Sequence, residues 1–323
     1  MLNGMGPALC LLSAACFGAL PIFGKFAYAA GVTPATLLLV RFALAAAILG
    51  ALLLLRPGLR RTADGPVRLT PGLVLTGLGL GAVGYATQAG LYFAALRRMD
   101  ASPLSLILYT YPLLVTVAAV LLRRDRLTRA RAAALTAASA GTLLVLLGTG
   151  GADFDPLGAV LGFGAAATYT GYILVADTVV HRLPPVLLSA LVMAGAAVTL
   201  TGHALITGGP GPGAGPRAWL WLACIAVVST VAATLTFFAG LRRTGPSTAA
   251  ILSTFEPVVT TALAALTLHE SLTPVQLAGG LLVLASAAVL QLRRTAAVPV
   301  AAPVAPPGHR DGAAPAPQPA TQV

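Results

Sequence analysis

The sequence predicts an all-α membrane protein whose ten transmembrane helices form two inverted five-helix repeats around a central cavity. Three observations predict this fold class: a composition too apolar for a water-soluble surface, apolar runs of membrane-spanning length, and an internal duplication. Of the 323 residues, 57% are hydrophobic and 9% are charged, whereas soluble domains carry about 25% charged residues. The mean hydropathy is +0.89. Such a chain cannot face water throughout.

Apolar runs of about 20 residues recur along the chain, each long enough to cross ~30 Å of hydrocarbon. They predict ten spans, at 7–29, 34–55, 71–95, 102–122, 130–148, 157–180, 185–207, 217–240, 246–268 and 274–292. The connections are short and rich in Arg, Gly and Pro. The tail, 295–323, is rich in Ala and Pro and has too little apolar surface to bury, so we expect it to be disordered.

An internal duplication divides the chain into two repeats. The sequence from Leu96 aligns without a gap with the sequence from Leu241, at an offset of 145 residues. Coinciding Arg, Pro and Thr residues are far more informative than coinciding Leu and Ala in apolar sequence; they include Arg97/Arg242, Pro112/Pro257 and Thr116/Thr261. The repeats are predicted to occupy residues 1–149 and 150–294. Because each repeat holds five spans, an odd number, the second must enter the membrane upside down.

The arginines predict the orientation of the chain in the membrane. With the N-terminus in the cytoplasm, fourteen arginines fall in cytoplasmic loops or immediately after the last span, and three fall on the opposite side: Arg97, Arg98 and Arg217. The positive-inside rule therefore predicts that both termini are cytoplasmic and that the protein is a multi-pass protein of the plasma membrane. Snorkelling at the interface is the role expected for Arg97 and Arg98.

The end of the second repeat resembles the EamA family of the drug/metabolite transporter superfamily. The shared pattern is a Pro, an apolar run, Glu-x-Leu-Thr and then Gln before Gly, and the residues that carry it are Pro257, Glu270, Leu272, Thr273, Gln276 and Gly279. In the first repeat Asp125 replaces the usual Glu and Ala134 replaces a Gly, while "RFALAA" from Arg41 resembles the second span of the family. The resemblance covers Pro7 to Leu292. It implies ten helices in two inverted halves around a cavity, through which small metabolites are usually exported.

Polar residues within the spans are the candidates for a substrate-binding cavity, because each must face protein or water rather than lipid. Tyr85, Gln88 and Tyr92 share one helical face of the third span. Their equivalents at the offset of 145 residues are less polar, which predicts a cavity with its polar wall in the first repeat. Packing against another helix through hydrogen bonds is the alternative role for this face.

Glu256 is an acid within the ninth span, on the same helical face as Ser253, and it corresponds to Tyr111 in the first repeat. Because an ionised carboxylate is disfavoured at this depth, we expect Glu256 to exchange protons or to contact an amine of the substrate. A purely structural role, as a protonated acid bonded to a carbonyl that Pro257 frees, is the alternative.

Two further side chains, Arg41 and Tyr169, complete the predicted cavity. Arg41 can pair with Glu256, bind an anionic group such as a carboxylate, or snorkel; Lys25 is expected mainly to snorkel. On the sixth span Tyr169 forms an aromatic pair with Tyr172, and such tyrosines serve either as ligand contacts or as interface anchors.

A membrane enzyme is the alternative class of protein. Asp153 and Asp155 in "DFD" could form the metal-binding pair of a lipid-linked glycosyltransferase, although such loop carboxylates more commonly form a turn and a helix cap. The scattered histidines and the cysteines within apolar segments predict neither a metal site nor a disulfide framework. We therefore expect no catalytic residues, no cofactor and no nucleic-acid partner. The partners expected are a small-molecule substrate and the lipid bilayer, and the sequence is compatible with a monomer.

The predicted orientation places residues 208–216 outside the cell. A cysteine introduced at Ala214 should therefore react with a membrane-impermeant thiol reagent in intact cells. Labelling is measured before and after lysis, with the parent protein as the background control. Labelling of the variant only after lysis contradicts this orientation.

Overall fold

The structure, a computed structural model, describes residues 5–62, 65–66, 69–122, 129–147, 155–176, 178–179, 182–206, 215–237, 239–240, 243, 252–253 and 255–296. Four features discussed in the sequence analysis lie outside these residues: Asp125, Asp153, the segment 208–214 and the tail from residue 297 onward.

Helices form nearly all of the described chain. They are α1 (Met5–Gly18), α2 (Leu20–Ala29), α3 (Pro34–Leu55), α4 (Pro71–Gly79), the π-helix π1 (Leu80–Tyr85), α5 (Ala86–Leu96), α6 (Ala101–Leu108), α7 (Tyr111–Leu121), α8 (Arg129–Leu147), α9 (Pro156–Ala176), α10 (Pro185–Ile206), α11 (Pro216–Ala226), the π-helix π2 (Val227–Ala232), α12 (Glu256–Thr267) and α13 (Pro274–Ala296). A 3₁₀ turn, Pro57–Arg60, and a two-residue antiparallel ladder that pairs Arg61–Thr62 with Gly65–Pro66 follow α3.

These helices occupy the ten spans predicted from the sequence, except that the beginning of the ninth lies outside the described residues. Five continuous stretches are by themselves long and apolar enough to cross a bilayer: Met5–Ala29, Pro34–Leu55, Pro156–Ala176, Pro185–Ile206 and Pro216–Phe237. Shorter apolar helices cover Ala101–Val115, Thr136–Val145 and Pro274–Ser286.

Threonine followed by proline begins several of the helices. The Thr33 side chain accepts a hydrogen bond from the Thr36 backbone N–H at 3.2 Å, and Thr70 caps α4 in the same way. Proline is tolerated at the next position, the first of the helix. N–H groups in the first turn have no acceptor within the helix, so a residue without an N–H loses no helical hydrogen bond there. Before α13, Thr273 and Gln276 exchange backbone-to-side-chain bonds of 2.9 and 3.2 Å, which is a capping box.

Two π-helices interrupt the third and eighth spans at matching places in the two repeats. At the offset of 145 residues, residues 82–85 of π1 correspond to residues 227–230 of π2. In π2 the Thr230 hydroxyl donates to the Ile225 carbonyl, five residues earlier, at 2.9 Å. Single-turn π-helices within α-helices are frequent at functional sites, and both of these end beside the cavity described below.

Glycines allow the third and seventh spans to approach closely. A Cβ atom on Gly81 would collide with the Val192 carbonyl, and one on Gly195 would collide with the Leu78 carbonyl. This backbone-to-backbone packing needs residues without side chains, as is common between membrane helices. It fixes the third span, which carries the predicted polar face, against α10.

The fifth and tenth spans, α8 and α13, pack against each other along their length. A Cβ atom on Gly141 would lie 2.7 Å from the Gly279 carbonyl oxygen, so this pair also depends on glycine at its crossing point. Gly279 is one of the residues through which the sequence resembles the EamA family.

Glu270, in the connection after α12, caps a helix of the other repeat. Its Oε1 accepts from the Ala101 N–H at 3.0 Å, and its Oε2 accepts from the Ser102 N–H at 3.1 Å and from the Ser102 hydroxyl at 2.9 Å. These donors belong to the first turn of α6, where backbone N–H groups have no partner within the helix. Glu270 therefore joins the end of the second repeat to the start of the fourth span.

Replacing Glu270 with Ala should lower the stability of the protein by about 1–3 kcal/mol, because it leaves buried N–H groups of α6 without acceptors. The melting temperature in detergent measures the effect. Glu270→Gln, which keeps one acceptor oxygen, should lose less, and Ser102→Ala, which keeps both backbone bonds, should lose least. Equal melting temperatures for Glu270→Ala and Ser102→Ala contradict the capping role.

Candidate functional site

A cavity of about 320 Å³ lies between the helices. Its volume is within the range of small-molecule sites, about 300–1,000 Å³. Residues of α1, α3, the third span, α6, α7, α9, α10, the eighth span and the start of α12 line it. The described residues of α8 and α13 are not among its lining residues, so the fifth and tenth spans form a separate pair beside it.

All eight side chains predicted to form the site lie on the wall of this one cavity. They come from five different spans and are Arg41, Tyr85, Gln88, Tyr92, Tyr111, Tyr169, Ser253 and Glu256. Lys25 is not among the lining residues. Their contact with a substrate remains a prediction.

All three residues of the predicted polar face of the third span line the cavity. Gln88 is 8% exposed and Tyr92 is 5% exposed, and both reach the cavity along with Tyr85. At the offset of 145 residues, Tyr92 corresponds to Phe237, which also lines the cavity. The wall contributed by the third span is therefore more polar than the wall contributed by its equivalent in the second repeat.

A row of five tyrosines forms one side of the cavity. Successive ring centroids lie 5.7, 4.8, 5.9 and 5.6 Å apart along the row of Tyr109, Tyr111, Tyr169, Tyr172 and Tyr85. These separations are typical of aromatic pairs in contact. The row gives a substrate an extended aromatic surface that also carries hydroxyl groups.

Glu256 begins α12 beside Pro257, and its carboxyl group reaches Tyr109. The Tyr109 hydroxyl lies 2.5 Å from the Ser253 carbonyl oxygen and 3.0 Å from Glu256 Oε2. Pro257 has no N–H to donate to the Ser253 carbonyl four residues earlier, so Tyr109 supplies the donor that the helix lacks. In the structural alternative considered for Glu256 this carbonyl accepts a hydrogen bond from Glu256, whereas in the structure the Tyr109 hydroxyl bonds to it.

Arg41 is buried, with 3% of its surface exposed, and it joins the two π-helices. Its Nε donates to the Thr230 hydroxyl at 2.9 Å, and its Nη2 donates to the Tyr85 hydroxyl at 3.1 Å. Tyr85 and Thr230 are equivalent residues of the two repeats. The guanidinium also lies 5.1 Å from the Phe42 ring centroid and 5.8 Å from the Phe93 ring centroid, within the range of cation–π contacts.

Pairing with Glu256 was one of the alternatives for Arg41, and this ion pair is not formed. Within the part of the chain that the structure describes, the ion pair present is Arg98–Asp155, with 3.0 Å between Arg98 Nη1 and Asp155 Oδ2. Arg98 thus has a specific partner in addition to the interfacial position expected for it. The cavity holds a cation and an acid that are bound to neutral hydroxyl groups rather than to each other.

Asp155, one of the two carboxylates considered for a metal-dependent enzyme, caps α9. Its Oδ1 accepts from the Gly158 N–H at 2.9 Å. That N–H and the Arg98 guanidinium hold the pKa of Asp155 below its usual value. In the described residues no group of three or more His, Cys, Asp and Glu side chains is placed to hold a metal ion.

Sequence reasoning did not select Tyr109 or Thr230 as residues of the site. Tyr109 is two residues from Tyr111, which in a regular helix would point it to a different side. The chain turns at Tyr109 and Thr110 between α6 and α7, and both tyrosines reach the cavity. Pro112 was the available signal, since a proline predicts a departure from regular helix just before it.

Comparisons with known proteins agree with the fold and with its duplication. The EamA-like transporter family matches the chain twice, over residues 4–147 and 156–292. An uncharacterized transporter of Bacillus subtilis (strain 168), YcbK, is 30% identical over 282 residues, which are 85% of this chain and 88% of that protein. A solved crystal structure has a similar fold, with a TM-score of 0.62 and 21% identity, over 91% of this chain and 99% of that one.

Replacing Tyr109 with Phe should lower the melting temperature by a few degrees, because it removes the hydroxyl group that bonds with the Ser253 carbonyl and with Glu256, at a cost of about 1–3 kcal/mol. Tyr169→Phe is the matched control, since the Tyr169 hydroxyl makes no hydrogen bond to the residues that the structure describes. Thermal unfolding of both variants in the same detergent makes the comparison. Equal melting temperatures would mean that another donor, such as Glu256, takes over the carbonyl.

Proposed function

Because the chain belongs to the EamA-like transporter family, we propose that this membrane transporter is a secondary transporter of the plasma membrane that exports small metabolites by alternating access. The substrates proposed are amino-acid-like or drug-like molecules. The observation that carries the proposal is a cavity of substrate size, enclosed by eight spans, that holds Arg41 and Glu256.

An inverted duplication supports the alternating-access mechanism. The two halves proposed are residues 1–149 and 150–294, each with five spans. Two halves of equal fold and opposite orientation can exchange conformations, so that a site between them opens to either side in turn. The matching positions of π1 and π2 at the offset of 145 residues favour this arrangement. The arginine distribution favours cytoplasmic termini.

The contacts of Glu256 support a role in proton exchange. The Tyr109 hydroxyl has one proton to donate but lies within hydrogen-bonding distance of two oxygen atoms, those of Ser253 and Glu256. When that proton is directed to the Ser253 carbonyl, Tyr109 can accept a hydrogen bond from protonated Glu256. When Glu256 is ionised, Tyr109 can turn its proton towards the carboxylate. The same side chain therefore serves both protonation states of Glu256.

Replacing Glu256 with Gln keeps the shape of the side chain but removes its titration. We expect the variant to lose substrate accumulation driven by a pH gradient, by tenfold or more, while it still binds substrate. Purified protein in liposomes, with an imposed pH gradient and a mixture of radiolabelled amino acids, provides the measurement.

Glu270→Gln is the matched control, because Glu270 lies outside the cavity, and it should retain gradient-driven accumulation. Weaker binding by Glu256→Gln, rather than lost coupling, would identify Glu256 as a contact for an amine of the substrate. A wild-type rate, affinity and pH dependence in Glu256→Gln contradict both roles and leave Glu256 as a structural acid.

A further inference from the structure

We propose that Arg41 is the anion-binding subsite of the cavity and that the transported substrate carries a single carboxylate that binds there. The inference rests on the proposed transport function and deepens it by naming the chemical class of the substrate. It is carried by the burial, the hydrogen bonds and the surroundings of the Arg41 side chain.

Arg41 is a buried cation that lacks a carboxylate partner among the described residues. Its exposure is 3%, and its hydrogen-bond acceptors are two neutral hydroxyl groups. Removing a guanidinium from water without a counterion is unfavourable, so such a group normally pairs with an anion or marks the path of a ligand. The cavity therefore contains a positive charge, and a bound substrate can supply the balancing negative charge.

Two hydrogen bonds orient the Arg41 guanidinium but leave some of its N–H groups without an acceptor among the described residues. Nε and Nη2 donate to Thr230 and Tyr85, whereas the described residues offer no acceptor to Nη1. Arg41 is also one of the residues that line the cavity. A carboxylate that enters the cavity can accept hydrogen bonds from the remaining N–H groups, which are arranged in the planar fork that suits a carboxylate.

Aromatic contacts hold the fork in place before any ligand arrives. The guanidinium lies over the rings of Phe42 and Phe93, and the Phe42 ring contacts the Tyr85 ring edge-on, with centroids 5.3 Å apart. A side chain fixed in this way loses little conformational freedom when a ligand binds. This is the pre-organisation expected of a binding residue.

The charges around the cavity favour a carboxylate over a phosphate. A phosphate monoester carries about −1.5 to −2 charge at neutral pH, and Arg41 is the one Lys or Arg side chain among the described lining residues, which also include the acid Glu256. A group with one negative charge is balanced by Arg41, whereas a second negative charge would lack a partner. The tyrosine row supplies the surface for the apolar remainder of the substrate.

The test compares acids with their primary amides, which have nearly the same shape but lack the negative charge of the carboxylate. The probes are benzoate, 3-phenylpropionate, phenylalanine and leucine, each paired with its amide, and the readout is the melting temperature of the purified protein in detergent. We expect at least one acid to raise the melting temperature and its amide to have no effect at the same concentration. This comparison on the wild-type protein requires no variant.

Variants then assign the effect to Arg41. Arg41→Met should abolish the stabilisation by the acid, and Arg41→Lys, which keeps the charge but loses the fork, should weaken the apparent affinity at least tenfold. Arg217→Met, at an exposed arginine outside the cavity, should bind like the wild type. Three results overturn the inference: no acid stabilises the protein, the amides stabilise it equally, or Arg41→Met binds the acid with wild-type affinity.

Flux of the same probes in liposomes separates this inference from the proposed function. Transport of the amides but not of the acids would support the proposed transport function and contradict the anion-binding subsite at Arg41. Binding of an acid without flux would support the anion-binding subsite and contradict the proposed transport function. Phenylalanine and 3-phenylpropionate differ by the amino group alone, so their comparison shows whether the substrate is a zwitterion or a simple acid.

Discussion

Inside a bilayer no water is available to satisfy backbone groups that leave a regular helix, so each break must find its partners within the protein. Here Tyr109 supplies the donor for the Ser253 carbonyl that Pro257 frees, and Thr230 of π2 donates to the Ile225 carbonyl in α11. Ser13, another lining residue, donates to the Ala233 carbonyl at 2.7 Å. The irregular backbone and the polar side chains therefore occur together. Because lipid cannot solvate either, both lie where helices of different spans enclose a cavity.

The same constraint determines how the two ionisable groups of the cavity are held. Arg41 and Glu256 are each bound by hydroxyl groups, which orient a charge without neutralising it. An ion pair between them would satisfy both and leave neither available to a proton or a ligand. Because their partners are neutral hydroxyl groups, Arg41 remains able to bind an anionic ligand and Glu256 remains able to bind or release a proton. A transport cycle requires such exchange of partners.

The apolar runs allowed the helices to be predicted from the sequence, because they depend on local composition, and the alignment at the offset of 145 residues allowed the helices to be divided into two repeats. The polar face of the third span was equally accessible, since helical spacing places Tyr85, Gln88 and Tyr92 on one side. The roles of Tyr109 and Thr230 were not accessible in this way. They depend on helix breaks and on contacts between residues more than a hundred positions apart, such as Arg41 and Thr230. Glu270 was recognised as part of a family pattern, but its function as a cap for α6 appears only when the two repeats are brought together.

Arg41 has a further consequence for the coupling of the two repeats. Its two hydroxyl partners, Tyr85 in π1 and Thr230 in π2, are equivalent residues of the two halves. On the proposed mechanism the halves exchange conformations, and a side chain bonded to both would have to release or re-form one of these bonds during the exchange. A carboxylate that binds the remaining N–H groups would alter the charge balance at that junction. The residue that recognises the substrate would then also be the residue through which its binding acts on both halves.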